Sequence, residues 1–274
     1  MSAPRRAGRL SVERLRDALS ERDSAILESL EKYRFLDKAQ LEELHFFAHA
    51  SEETGARTAR SVLARLVRDR LLCRLKYRDV GGLRGGSSGY IYCLGPVGLR
   101  VLHANGARWR RPQPSMLFVD HVLAVSQLAV DLHRLAREGR CELLSIEAEP
   151  ACWRAFSKGM AGGETLKPDL YVALGVGEWE SHWFCEVDRG TESSTAILRK
   201  CRAYQAYWAS GAGQEAGGVF PRVLWIAPSE RRAQAIERAI RTSSHLERDL
   251  FRVTTAREAA ARMTELNGDK GGLQ

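Results

Sequence analysis

The stretches KPDLYVALGV (167–176) and HWFCEVDRG (182–190) decide how this chain is read. Each is a short apolar run with carboxylates in it or at its edge: Asp169 in the first, Glu186 and Asp188 in the second. Runs this short and this apolar read as β-strands. Two adjacent strands would bring Asp169, Glu186 and Asp188 together. Clustered carboxylates repel one another unless a cation or a basic group offsets them. The site therefore either binds a metal or is held shut by its own basic residues.

Working outward, the region after residue 115 alternates helix and strand patterns. A long helix is expected over 116–138, with apolar residues at Val122, Val125, Leu128, Ala129, Leu132 and Leu135 in nearly heptad spacing. That stripe faces a core or forms a dimer seam. Strands follow at 142–150, 169–175 and 181–188, then a helix over 193–209, a very apolar strand over 219–227, a helix over 230–242, a short strand and a last helix. This order implies an α/β domain with a mixed central sheet flanked by helices.

The region before residue 105 has a different character. Residues 1–114 carry 22 Lys and Arg against 13 Asp and Glu, whereas the rest carries 20 against 21. The net charge of +8 thus belongs to the N-terminal part. A one-sided positive field favours a polyanion, most simply DNA. Helices are expected over 23–32 and from Asp37, which can cap its helix while Gln40 reaches back as in a capping box. A third helix is expected over 56–71. At about 100° per residue, Ala59, Val62, Leu63, Leu66 and Val67 share one side. Arg57, Arg60, Ser61, Arg65 and Arg68 share the other. A strand over 73–78, a glycine-rich loop and a returning strand at 90–94 complete the order of a winged helix-turn-helix. In such a domain the third helix enters the major groove. Arg74, Lys76, Arg78 and Arg84 would lie along the wing.

The expected organisation is a basic extension (1–20), a winged helix-turn-helix domain (21–104), a linker with two prolines (105–115), an α/β domain (116–266) and a tail (267–274). Six cysteines stand without CxxC spacing, so reduced thiols in a cytoplasmic protein are expected rather than a zinc site. No run of about 18 apolar residues suggests a membrane partner.

The strand order, with PD on the second strand of the α/β domain and ExD on the third, resembles the restriction-endonuclease-like fold and its PD-(D/E)XK motif over residues 116–228. That resemblance implies Mg²⁺ held by Asp169 and Glu186; an upstream acid on the first strand, Glu147 or Glu149, which share a face, would complete the cluster, Glu149 being the metal candidate. It also implies a lysine that orients the attacking water. Here Asp188 occupies the lysine position, and Lys200 on the next helix is the candidate replacement. The competing expectation is a degenerate site whose acids pair with Lys200 or Arg189.

Both halves together resemble the replication-relaxation family of plasmids and mobile elements. The resemblance lies in RDSAILESLEKYRFLDKAQLEELHF (22–46), ARSVLARLVRDRLLCRL (59–75), YIYCLGPVGLRVL (90–102), and KPDLYVAL with WFCEVDRGTES and LRKCRAYQAYW (167–208). It implies a DNA-binding protein acting in replication, maintenance, transfer or its regulation. The implied partners are double-stranded DNA, a second copy of the chain, and replication or transfer proteins. The alternatives are a Mg²⁺-dependent endonuclease or nickase using Asp169, Glu186 and Lys200, and an adaptor that binds proteins only.

Overall fold

Polar side chains at their first turns fix where most of the helices begin. Ser20 and Asp23 form a capping box for α2 (Glu21–Tyr33), and Asp37 and Gln40 form one for α3 (Lys38–His45). Each box satisfies amides that would otherwise lack acceptors. Ser51 caps α4 (Glu52–Arg68), which is why that helix begins before residue 56. The structure is a computed structural model, and it describes residues 9–49, 51–76, 90–103, 109–110, 112–157, 162–213 and 218–265.

The chain forms two compact units, 1–126 and 127–274. In the first, α1 (Arg9–Asp17) and α2 lead to β1 (Leu36–Asp37), α3 and α4, then β2 (Leu72–Lys76), β3 (Tyr90–Leu94) and α5 (Pro96–Leu102). The three strands make an antiparallel sheet in the order β1-β3-β2. The core joins Ile26, Leu27 and Leu30 of α2, Leu41 of α3, and Ala59, Leu63 and Leu66 of α4, each at most 1% exposed. Burying that apolar surface is what makes the short helices stable.

The long helix α6 (Met116–Arg137) passes through the boundary between the units. Its first turns belong to the first unit. Val119 packs with Phe35, Ile91 and Cys93, the Gln40 side chain donates to Leu123 O at 2.9 Å, and Ser126 Oγ donates to Phe35 O. The unit boundary thus falls at Ser126/Gln127, beyond the segment 105–115. Among the described residues α6 alone is long and apolar enough to cross a membrane, by length and composition. Its Val119, Val125, Leu128, Ala129, Leu132 and Leu135 are buried within the protein.

The second unit holds a five-stranded mixed sheet in the order β10-β9-β8-β7-β4. Its strands are β4 (Glu142–Ala148), β7 (Leu170–Val176), β8 (Trp179–Val187), β9 (Arg222–Ala227) and β10 (Phe251–Thr255). Strands β4, β7 and β8 pair antiparallel, and β8-β9 and β9-β10 pair parallel. Each parallel pair needs a crossover. These are α7 (Ser194–Ala209) and α8 (Glu230–Thr242), capped by Ser193 and Ser229. The last helix, α9 (Ala259–Thr264), packs on β7 and β10. The α/β class read from the sequence is therefore the observed one. The hairpin of β5 (Arg154–Ser157) and β6 (Gly163–Leu166), inserted between β4 and β7, was not foreseen.

Two glycines let α5 approach the turn before β2. A Cβ on Gly95 would meet Arg70 O at 2.3 Å, and one on Gly98 would meet Leu71 O at 2.2 Å. Backbone atoms cannot swing aside as a side chain can. Gly98→Ala is expected to destabilise the first unit by about 1–3 kcal/mol, the scale of overpacking, as a lower midpoint in urea unfolding.

Candidate functional site

Register explains how the carboxylates meet. Leu170 pairs with Cys185, so Asp169, one residue before β7, lies opposite Glu186 of β8. The ladder continues at this end, with Asp169 N donating to Cys185 O and Asp188 N donating to Ile226 O. Asp169, Glu186 and Asp188 are 7%, 2% and 2% exposed. Burying an ionised carboxylate costs several kcal/mol unless partners replace its water.

Those partners come mainly from α7 and α8. Lys200 Nζ lies 2.9 Å from Glu186 Oε2 and 2.7 Å from Glu192 Oε1. One turn on, the Tyr204 hydroxyl donates to Glu186 Oε1 at 2.6 Å. Arg232 grips Asp188 with two bonds, Nε to Oδ2 at 2.6 Å and Nη2 to Oδ1 at 3.1 Å, and also donates to Glu192 O. Asp169 Oδ2 accepts from Val187 N at 2.7 Å. The end of β8, the following loop and two crossover helices are thereby tied together. Bidentate Arg–carboxylate pairs are among the stronger charge-assisted contacts.

Burial and then the facing Asp169 push the Glu186 carboxyl up to about 7, against the opposing pull of Lys200 and Tyr204. Burial works to lower the Lys200 pKa, but Glu186 and Glu192 outweigh it and the net shift is upward. Burial and Glu186 raise Tyr204 well above the ordinary phenol range.

Magnesium asks for several oxygens converging on one point. Both oxygens of Glu186 and both of Asp188 face basic or hydroxyl donors, and one of Asp169 faces an amide. Glu149 sits beyond β4, before a cis peptide bond to Pro150, while Glu147 on that strand pairs with Arg154 at 2.8 Å. Among the described residues no three His, Cys, Asp or Glu side chains form a metal-binding group. The arrangement does not fit a resident Mg²⁺.

Sequence reading brought Lys200 into consideration and missed Tyr204, Glu192 and Arg232. Tyr204 had a usable signal, four residues after Lys200 and so on the same helix face. Arg232 had none, because its approach depends on the β9 crossover. Arg189, the other basic residue considered for the acids, is exposed, and Asp188 takes Arg232 instead.

In the first unit, Arg57, Arg60, Ser61 and Arg68 are exposed along α4. Arg65 is half-exposed and bonds Asp23 Oδ1 at 2.6 Å, where Asp23 is 3% exposed. Arg65 therefore ties α4 to α2. The Arg74 guanidinium carbon lies over the Tyr90 ring, 3.9 Å from its centroid. Lys76 ends β2, while Arg78 and Arg84 lie outside the described residues.

A family model described as replication-relaxation matches residues 27–223, taking in the arginines of α4 and the acids at the ends of β7 and β8. The chain belongs to the replication-relaxation family. No curated protein and no solved structure matches this member of the family. Within the matched residues lie Asp169, Glu186, Asp188, Glu192, Lys200 and Tyr204, whereas Arg232 lies past their end.

The raised Glu186 pKa makes a signed prediction. A carboxyl with a pKa of about 7 in the fold and 4.5 as the ordinary value binds more protons folded than unfolded. Its contribution to stability is fully present below pH ~4.5 and is lost as pH rises to ~7. Glu186→Gln removes that loss. Relative to wild type, the variant should gain on the order of 2–3 kcal/mol between pH 5 and pH 8. Urea unfolding followed by tryptophan fluorescence at both pH values measures it; equal differences at both would mean Glu186 titrates normally.

Proposed function

We propose that this chain is a duplex-DNA-binding protein of a plasmid or mobile element, acting in replication, maintenance, transfer or its regulation, and that its first unit is a winged helix. The observation that carries this is the row of exposed Arg57, Arg60 and Arg68, with Ser61, along α4. Support comes from the order of α2, α3, α4 and the β2-β3 hairpin, in which α4 is the helix that would enter the major groove. Arg74, shortly after that helix in sequence and lying over the Tyr90 ring, is suited to a backbone phosphate.

The second unit is read as a nuclease-like fold with an altered site. What supports this is the sequence of α6, three antiparallel strands, a crossover helix and a parallel strand, with Asp169, just before the second strand, opposite Glu186 on the third. The ion pairs of Lys200 and Arg232 argue that these acids now hold the fold together. In this reading Lys200 and Arg232 act as structural counter-ions rather than as groups that activate water.

Arg60→Ala is expected to weaken duplex binding by about 1–3 kcal/mol if Arg60 reads a base. If it contacts only phosphate, the slope of log affinity against log salt should fall by about 1 on any sequence. Fluorescence anisotropy over a salt series separates the two, and unchanged affinity and slope would remove Arg60 from the interface. For the second unit the expected result is no cleavage of supercoiled, linear or branched DNA with Mg²⁺ or Mn²⁺. Metal-dependent cutting abolished by Asp169→Asn would instead support an endonuclease or nickase.

A further inference from the structure

The β2-β3 hairpin carries a feature that neither the arginine row nor the carboxylate cluster uses. Cys73 and Cys93 are direct cross-strand partners in its antiparallel register. Side chains of directly opposed residues stand on the same face of a sheet. Cys93 Sγ donates to Cys73 O at 3.8 Å, so its sulfur leans over the neighbouring strand. Directly opposed antiparallel residues have Cα atoms about 4.5–5.5 Å apart. A disulfide spans about 4.4–6.8 Å between Cα atoms, so the backbone already stands at bridging distance.

Access and chemistry single out this pair. Cys93 is buried, and Cys73 is half-buried, which gives a small oxidant one sulfur to reach. In the second unit Cys152, Cys185 and Cys201 are buried. Burial pushes the Cys152 and Cys201 thiols up to about 12, which suppresses the thiolate that exchange requires. Cys141 is half-buried, precedes β4 and has no cysteine in register with it, so it serves as an internal comparison.

We infer that Cys73 and Cys93 are a thiol pair that closes into a cross-strand disulfide at the base of the β2-β3 hairpin by exchange with a small disulfide such as oxidised glutathione. The Cys73 thiolate attacks one glutathione sulfur, forming a mixed disulfide and releasing one glutathione thiolate. Cys93 then attacks the Cys73 sulfur, forming the protein disulfide and releasing the second. Two protein thiols are oxidised and one glutathione disulfide is reduced; both protons end on the glutathione sulfurs. The bond would fasten the two strands just inside Arg74 and Lys76.

The test treats the full chain with oxidised glutathione at pH 8, quenches with acid, and maps thiols and linked peptides by mass spectrometry. The expected result is loss of the Cys73 and Cys93 thiols to each other and of the Cys141 thiol to glutathione, a peptide pair joining residues 73 and 93 within one chain, an upward shift of several degrees in the unfolding transition of the first unit, and reversal by dithiothreitol. Cys73→Ser and Cys93→Ala should each abolish the linked pair while Cys141 still takes up glutathione. Where a variant fails to fold, the wild-type peptide map decides alone. Glutathione retained on Cys73 without a 73–93 link, a link to any other cysteine, or no change at either residue while Cys141 reacts would each overturn the inference.

Discussion

The second unit depends on neutralising charge that its own sheet register concentrates. Pairing Leu170 with Cys185 sets Asp169 against Glu186, and the strand end adds Asp188 two residues on. Like charges this close and this dry are tolerated only with cations beside them. Lys200, Tyr204 and Arg232 supply the donors, and in doing so they fix α7 and α8 to the sheet. The aromatic packing of Phe184 with Tyr204 and Tyr207 adds apolar contact to the same helix face. Polar closure and apolar packing therefore position one helix by two independent means.

The first unit solves a smaller version of the same problem. Asp23 is nearly fully buried because it caps α2 and receives Arg65 from α4. The arginines of α4 are thus divided by surroundings: Arg65 braces the helix, and Arg57, Arg60 and Arg68 remain on its solvent side. Close approach of α5 through Gly95 and Gly98 completes the base on which α4 and the hairpin sit.

Much of this was legible in the amino-acid order. The Asp37–Gln40 capping box, strand Tyr90–Leu94 and helix Glu230–Thr242 were each readable from local pattern, because caps and periodicity are local properties. The opposition of Asp169 and Glu186 followed from two apolar runs joined by a short turn. What escaped was long-range. The β5-β6 hairpin is short and buries only Phe156 on one strand and Leu166 on the other, so it gave no apolar signal. Arg65 looked like any other arginine on its helix face, since its partner Asp23 lies 42 residues away. The pairing of Arg232 with Asp188 spans 44 residues and exists only once the crossovers are laid down.

That last separation has a consequence for how the chain is made. Asp188 leaves the ribosome well before its guanidinium partner, and the intervening segment must build α7 and β9 first. Until then the aspartate has no guanidinium to offset the cost of burying its charge. Synthesis halted short of residue 232 would leave a strand whose final acid has nowhere to bury its charge. Helix α8 thus closes, from 44 residues further along the chain, the acidic end that β8 leaves.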